Sequence, residues 1–559
     1  MNKKHWFFGV VSFVLLAGIG RSQGPVFNDT LLNSRRLGPV TERIDVQAYQ
    51  DIWHVSSENG SDKKGDGSRE KPWKTINHGL EKAAGATADH RCALIIASGR
   101  YAEKTLVMQK HTDLFGGYDA RIWERDIFAN KTILDGQGVR GVVLGADSAR
   151  LDGFFIINGL SDTHGGGILC DDTSPEISNN IVRGNTVMGP VSFNTSRIHQ
   201  EGIHGGGIAC RFNAVPVIRN NLILENRTAI GNGAGIAFYG WVRKPGIPET
   251  ETIDNRLSGG IRAQVVNNII MFNKAGVNDL YRTRSSNGGG ISAGFEARPL
   301  ILNNLIAMND AGGRGDAGGI YIEYFADPDV VGNWILGNTS DDDGGGLYTM
   351  RLGQPLIENN IFSGNYTRSG GAGAIRISKE GRAAIKSNLV VRNRGGGITS
   401  VDSYAEIHDN IIAQNTGRPG ISISNKFTYL RPSVIDGNIF ADNPEGNISV
   451  TGTKDVEIRP QDPESGGIII IETEPMGISE AVYDENTDET MVFPADASRL
   501  DSGMTGKVVR IGEKWSLVKD VSDKGLVVWG DLTVLGEDQK ILEFLPVYDV
   551  ETSNQEEQQ

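Results

Sequence analysis

Asp316 and Asp343 each stand four residues before the apolar residue that closes a glycine-rich run, DAGGI and DGGGL. Two carboxylates at equivalent places of neighbouring repeats repel unless a cation joins them or one is protonated. Calcium, which takes about 6–8 oxygen ligands, is the natural ion for them, and Asp341 and Asp342 add carboxylates beside Asp343. Just past the same runs lie Tyr321 and Glu323, Tyr348 and Arg351, and Arg376 and Lys379. Proton abstraction next to a uronate carboxylate needs an Arg or a cation to neutralise the carboxylate, and a base such as Arg, Lys, His or Tyr. Glycoside hydrolysis needs two carboxylates about 5–9.5 Å apart, for which Glu323 with Asp316 or Asp343 is the available pair. The catalytic candidates are therefore Arg351, Arg376 and Glu323, and the metal candidates Asp316 and Asp343.

A second group could hold a ligand. Arg211, Tyr239, Trp241, Arg243, Lys244, Tyr281, Arg282 and Arg284 lie in or beside three long departures from the repeat, at about 186–204, 240–260 and 274–287. Long loops in a regular array are often functional. Aromatic faces stack on sugar rings, and Arg forks grip carboxylate or sulfate. Arg211, Tyr239, Trp241, Arg282, Tyr321 and Tyr348 are the substrate-binding candidates. The competing reading is solvated loop charge with a few packing aromatics. His164 and His204 precede earlier Gly runs and read either as metal or acid–base imidazoles or as turn residues.

These residues are placed by a repeat. Asn-x-x-x-x-Asn recurs at 180/185, 221/226, 268/273, 304/309, 333/338, 360/365, 388/393, 410/415 and 438/443, with apolar residues after each leading Asn. GFFIIN is a degenerate earlier copy, in which Gly153 replaces the first Asn and Asn158 keeps the second. Runs like GGGI keep step with the pairs. Self-similarity at this period means a solenoid or propeller, and the shortest copies cannot hold four propeller strands. A leucine-rich repeat would need a Leu framework. The remaining fold is all-β, a parallel β-helix with coils stacked about 4.8 Å apart. The Asn pairs are expected at bends, where Asn tolerates left-handed backbone, and their amides should stack into ladders. In strand 320–323, Ile320 and Ile322 should face inward, Tyr321 and Glu323 outward. Cys170 and Cys210 share one coil position and read as a buried thiol stack.

Upstream, HVSSENGSDKKGDGSREKPWKTINHGLEKAA reads as a strand, a loop and a helix opened by Pro72, capping the exposed solenoid end. This stretch, IIASGRYAEKTLVM, LFGGYDARIWERDIFANKTILDGQG and the GGGI/Asn repeats together resemble secreted right-handed β-helix repeat proteins of the pectate-lyase-like superfamily. The resemblance spans about residues 53–445 and implies a right-handed coil. The superfamily mixes polysaccharide lyases, hydrolases, epimerases and non-catalytic proteins, so it specifies fold better than activity. DPD at 327–329 lacks the His of the Asp-Pro-His motif that marks some uronan epimerases.

The expected organisation is a signal peptide over 1–23, an N-terminal segment with the helix cap over 24–134, repeats over 135–445, a C-terminal β module over 446–550 and a disordered tail over 551–559. Lys3 and Lys4 before the apolar stretch 6–16 carry the signal. That stretch is too short for a membrane anchor, which needs about 20 apolar residues, so the protein is expected to be secreted or held at the cell surface or in the periplasm. A net charge of −14 disfavours nucleic acid as a partner. The expected function is binding of an acidic polysaccharide along the solenoid flank, with cleavage by β-elimination as the lyase-like activity and calcium as the cofactor. The alternative is a non-catalytic adhesive solenoid at a surface.

Overall fold

The computed structural model describes residues 37–189, 204–240, 262–276, 286–369, 371–426, 432–452, 456–459, 465–533, 536 and 540–552. The expected signal peptide, Trp241, Arg243, Lys244, Tyr281, Arg282 and Arg284 lie outside them. No helix among the described residues is long and apolar enough to cross a membrane.

One coil shows the plan. Ile168–Asp171 follows a Gly run, Glu176–Ser178 leads to Asn180, Ile181–Arg183 joins Asn180 to Asn185, and Thr186–Val187 follows. Each strand pairs in parallel with its equivalent in the next coil: Ile168 with Ile208, Glu176 with Val217, Ile181 with Leu222, Thr186 with Arg227. Repetition gives four parallel sheets: a Gly–Ile sheet of 12 strands, a pre-asparagine sheet of 14, an inter-asparagine sheet of 12 and a short sheet of 7. The fold is a parallel β-helix.

Its core is columnar. The residue closing each Gly run, from Ile168 through Ile320 and Leu347 to Ile421, is fully buried. Each such side chain contributes about 1.5–3 kcal/mol relative to exposure. In the inter-asparagine strands the second apolar residue (Val182, Ile223, Ile270, Ile306) joins this core. The first (Ile181, Leu222, Ile269, Leu305, Trp334) points the other way, into a separate apolar cluster. Two apolar residues in sequence thus mean a strand covered on both faces.

The covering element is the C-terminal module. Strands 476–484, 489–494, 526–529, 514–521, 508–511 and 541–544 close, in that order, into an antiparallel barrel. Val508, Trp515, Leu517 and Trp529 of the barrel, with Tyr548 of the following strand, pack on the inter-asparagine sheet. Arg183 anchors Asp488 at 2.7 Å, and Tyr548 donates to Gln414 at 2.9 Å. The module lies along the flank. The solenoid itself continues one coil past the expected boundary, with Ile448–Gly452 and Val456–Ile458 paired to the preceding coil. The last strand runs to Thr552, into the stretch expected to be a tail.

The ladders form as expected. Asn304 Nδ2 donates to Asn333 Oδ1 of the next coil at 3.0 Å and to the Val265 carbonyl of the previous one at 2.8 Å, while its Oδ1 accepts from Asn268. The second ladder repeats this from Asn185 to Asn443. The left-handed residue, however, is the one before each ladder position: Asn179, Asn220, Asn267, Asn303 and Asn359 before the leading Asn; Gly184, Glu225, Phe272 and Met308 before the trailing one. A ladder Asn must aim its amide inward, so the bend falls on its neighbour. GFFIIN is accordingly shifted by one. Gly153 and Asn158 take the left-handed places, and Phe154 and Gly159 meet the Asn180 and Asn185 amide oxygens. Cys170 and Cys210 align as free, buried thiols.

At the N-terminal end the helix spans Ile76–Lys82, four residues later than Pro72 suggested. Thr75 is the cap, its hydroxyl accepting from His78 N at 3.3 Å, and the Glu103 carboxylate takes the Ile76 and Asn77 N–H groups at 2.8 and 2.9 Å. An oxygen cap and a carboxylate at the first turn satisfy its orphan donors.

Candidate functional site

The barrel covers the inter-asparagine flank, and the candidate residues lie on the Gly–Ile flank. A row of polar residues opens five successive strands of that sheet: His204, Asn232, Asn287, Asp316 and Asp343. They form a third ladder. Asn232 N donates to His204 Nδ1 at 3.1 Å, Asn287 N to Asn232 Oδ1 at 2.9 Å, Asp316 N to Asn287 Oδ1 at 2.8 Å and Asp343 N to Asp316 Oδ1 at 3.2 Å. His164 begins the row, its ring 6.0 Å from that of His204. Burial, helped by Arg211, pushes its pKa down to about 3, so it is neutral.

Where this row turns from amide to carboxylate, the flank is hollowed. A depression of about 450 Å³ is lined by Asp316, Asp342, Asp343, Tyr348, Arg376, Ser378, Lys379, Glu380 and Asp402. Arg376 Nη2 lies 3.4 Å from Asp343 Oδ2, and its buried Nε has no protein partner among the described residues. The Tyr348 hydroxyl meets Ser378 Oγ at 2.5 Å. Burial, then the neighbouring Asp343 and Asp342, raise Asp316 to about 7. Burial also raises Asp343, against the pull of Arg376. Asp316, Asp343, Tyr348 and Arg376 therefore converge as their shared repeat position implies.

Arg351 and Glu323 form a different group. Glu323 Oε2 accepts from the Tyr321 hydroxyl at 2.9 Å and Arg351 Nη1 at 3.3 Å, and Oε1 from Asn232 Nδ2 at 3.4 Å. Glu323 is fully enclosed, and burial raises it to about 7 although Arg351 and Tyr321 oppose the shift. The expected trio of Arg351, Arg376 and Glu323 is thus divided, and Arg351 does not line the depression. Tyr321 and Glu323 do point away from the coil interior. They are nevertheless covered, because Ala317, Tyr348 and Met350 pack over Tyr321.

The expected sugar platforms are corrected in the same way. Tyr239, Tyr321 and Tyr348 are each no more than 2% exposed. Tyr239 stacks on His204 at 3.6 Å and leans on Phe295 at 5.6 Å. The Tyr239 and Tyr321 rings are structural, while Tyr348, though buried, lines the hollow with Asp316 and Arg376. Arg211 lies against the Phe212 ring at 4.6 Å and faces Asp171 at 3.8 Å.

The accessible aromatic row comes one residue later. Phe212, Phe295, Tyr324, Arg351 and Lys379 each sit four residues past the end of a Gly run, with φ between 46° and 58°. Phe295 stacks on Tyr324 at 4.7 Å, and Arg351 lies over Tyr324 at 4.7 Å. Asn or Gly would hold this backbone at less cost. Phe212, Phe295, Tyr324, Ser378 and Asp402 were missed because hydrophobic alternation stops at the strand end. Counting four residues past each closing apolar residue would have found all but Ser378.

A family described as right handed beta helix region matches residues 340–462. No curated protein matches. Among solved structures, XylC in complex with xylose has 12% identity and a TM-score of 0.39, covering 89% of this chain and 100% of its own. The A-module of the Azotobacter vinelandii mannuronan C-5 epimerase AlgE6 has 14% identity and a TM-score of 0.30, with 69% and 94% covered. The GH136 lacto-N-biosidase from Eubacterium ramulus has 12% identity and a TM-score of 0.29, with 73% and 68% covered. The stacked parallel sheets make this chain a parallel β-helix with an antiparallel barrel laid on its flank, and its residues 340–462 match the right-handed form.

Proposed function

We propose that the Gly–Ile flank binds an acidic polysaccharide, with the Asp316–Arg376 depression as its principal subsite. The convergence of Asp316, Asp343, Arg376 and Lys379 on one open hollow carries this reading. The hollow has five carboxylates, from Asp316, Asp342, Asp343, Asp402 and Glu380, against two cations, Arg376 and Lys379. A uronate would be repelled by this balance on its own. Calcium held by Asp316 and Asp343 would reverse it and accept the uronate carboxylate as a further oxygen ligand. Arg376 and Lys379 would then hold adjacent oxygens, and the row Phe295–Tyr324 would guide the chain along the flank.

Cleavage by β-elimination is a second reading, supported by the same hollow. Calcium would neutralise the carboxylate, and Lys379, exposed beside Arg376, would take the proton in its neutral amine form. Incubation with a panel of uronic polymers separates the two. Ultraviolet-absorbing unsaturated ends support elimination. Calcium-dependent retention without product supports binding alone. Neither outcome on any polymer overturns both.

A further inference from the structure

At the N-terminal end of the solenoid, far in sequence from the flank hollow, three different ligating side chains meet. Asp51 opens the first strand, Asp51–Val55, and pairs in register with Cys92 of the neighbouring strand Cys92–Ala97. His90 is held over this pair by a tight turn. Its N–H donates to the Thr87 carbonyl and hydroxyl at 3.2 Å each, and its own carbonyl accepts from Thr87 N at 3.0 Å. His90 Nε2 lies 2.7 Å from Asp51 Oδ2. The imidazole nitrogen, carboxylate oxygen and Cys92 sulfur all lie within 4.8 Å of one another.

We infer that Asp51, His90 and Cys92 form a binding site for a borderline divalent cation of the zinc class. The donor set decides the metal. Thiolate with imidazole and one carboxylate suits Zn²⁺ or Co²⁺, whereas calcium and magnesium want oxygen alone. Ligand bonds of about 2.0–2.3 Å bring tetrahedral donors to roughly 3–4 Å apart, so a small inward movement closes the set around an ion. Access is from the solvent side: the His90 and Asp51 side chains are 54% and 41% exposed, while Cys92 is 2% exposed and forms the floor. Arg91, between His90 and Cys92 in sequence, is already held by Asp113, with Nη2 at 2.9 Å from both carboxylate oxygens. On binding, the Cys92 thiol loses its proton to solvent and its sulfur bonds the metal. Because binding releases that proton, affinity should rise with pH. The ion would pin the turn at His90 to the first two strands, where the solenoid stack begins.

Cobalt titration of the full chain tests this. The expected result is a near-ultraviolet thiolate-to-cobalt charge-transfer band with visible bands of tetrahedral cobalt, displaced by zinc. The other thiols, Cys170 and Cys210, are enclosed in the solenoid, so the band should vanish in Cys92→Ser. His90→Gln, at an exposed side chain, should weaken cobalt binding at least tenfold while leaving the far-ultraviolet spectrum unchanged. Absence of a charge-transfer band, or its persistence in Cys92→Ser, overturns the site. Neither result bears on glycan binding at the flank.

Discussion

The Asp343 backbone N–H donates to Asp316 Oδ1 at 3.2 Å across adjacent coils, so the two residues are joined by the same kind of bond that stacks the neutral Asn232 and Asn287. The ladder geometry is kept while its chemistry changes. Two acidic groups then share a hollow that an amide pair would leave uncharged.

That change makes stability depend on pH. Asp316 is raised to about 7 by burial and its acidic neighbours, and Glu323 to about 7 by burial. Carboxyls raised on folding stabilise fully below their ordinary values, and that contribution is lost as pH rises through about 7. Melting should therefore occur at a lower temperature at pH 8 than at pH 5. Asp316→Asn keeps the acceptor for Asp343 N and should flatten the difference by up to about 3 kcal/mol, because the raised value of about 7 lies about two pH units above pH 5. Parallel pH profiles for the variant and the parent would show that Asp316 is not the titrating group.

The ladders predict where the solenoid is least tolerant. Asn304→Ala takes the acceptor from the buried Asn268 backbone N–H and side-chain amide and removes the donor to the Val265 carbonyl. Buried groups left unpaired cost about 1–3 kcal/mol each, so a loss on the order of 3 kcal/mol or more is expected in urea unfolding. Asn443→Ala, on the last rung and 8% exposed where Asn304 is fully enclosed, should cost clearly less. Equal losses at both rungs would argue against a cooperative ladder.

The barrel's position rests on close fit. Trp515 packs over Gly337 and Gly364, where an added Cβ would come within 2.6 and 2.3 Å of its ring. Trp515→Ala removes this wedge and should cost about 3–5 kcal/mol of docking and packing. Limited proteolysis should then cut between the last coil and the barrel, near residues 459–476, much faster than in the parent. Unchanged cleavage would mean that Arg183–Asp488 and the remaining apolar contacts suffice.

Much of the solenoid was legible in the sequence. Asn304/Asn309 and its eight sister pairs set the register, and the register placed Asp316 on Asp343 and Tyr348 on Arg376. Less legible was what covers each position. Alternation marks Tyr321 and Glu323 as pointing away from the core. It cannot show that Met350 and Tyr348, one coil on, close over them. The apolar pair Leu305–Ile306 did not by itself reveal a strand covered on both faces, and its covering residues, Trp515 and Trp529, lie some 200 positions later. The row Phe295–Tyr324 escaped because its left-handed backbone obeys neither strand nor ordinary turn preference.

The central claim is that the flank hollow is a calcium-dependent subsite for an acidic glycan. Retention on an immobilised polyuronate tests it most directly, measured in a Cys92→Ser background so that the N-terminal site contributes nothing. Retention in calcium and release by a calcium chelator are expected, with at least tenfold weaker retention, about 1.4 kcal/mol, for Asp316→Asn and for Arg376→Ala. Retention that survives the chelator and both substitutions would contradict it.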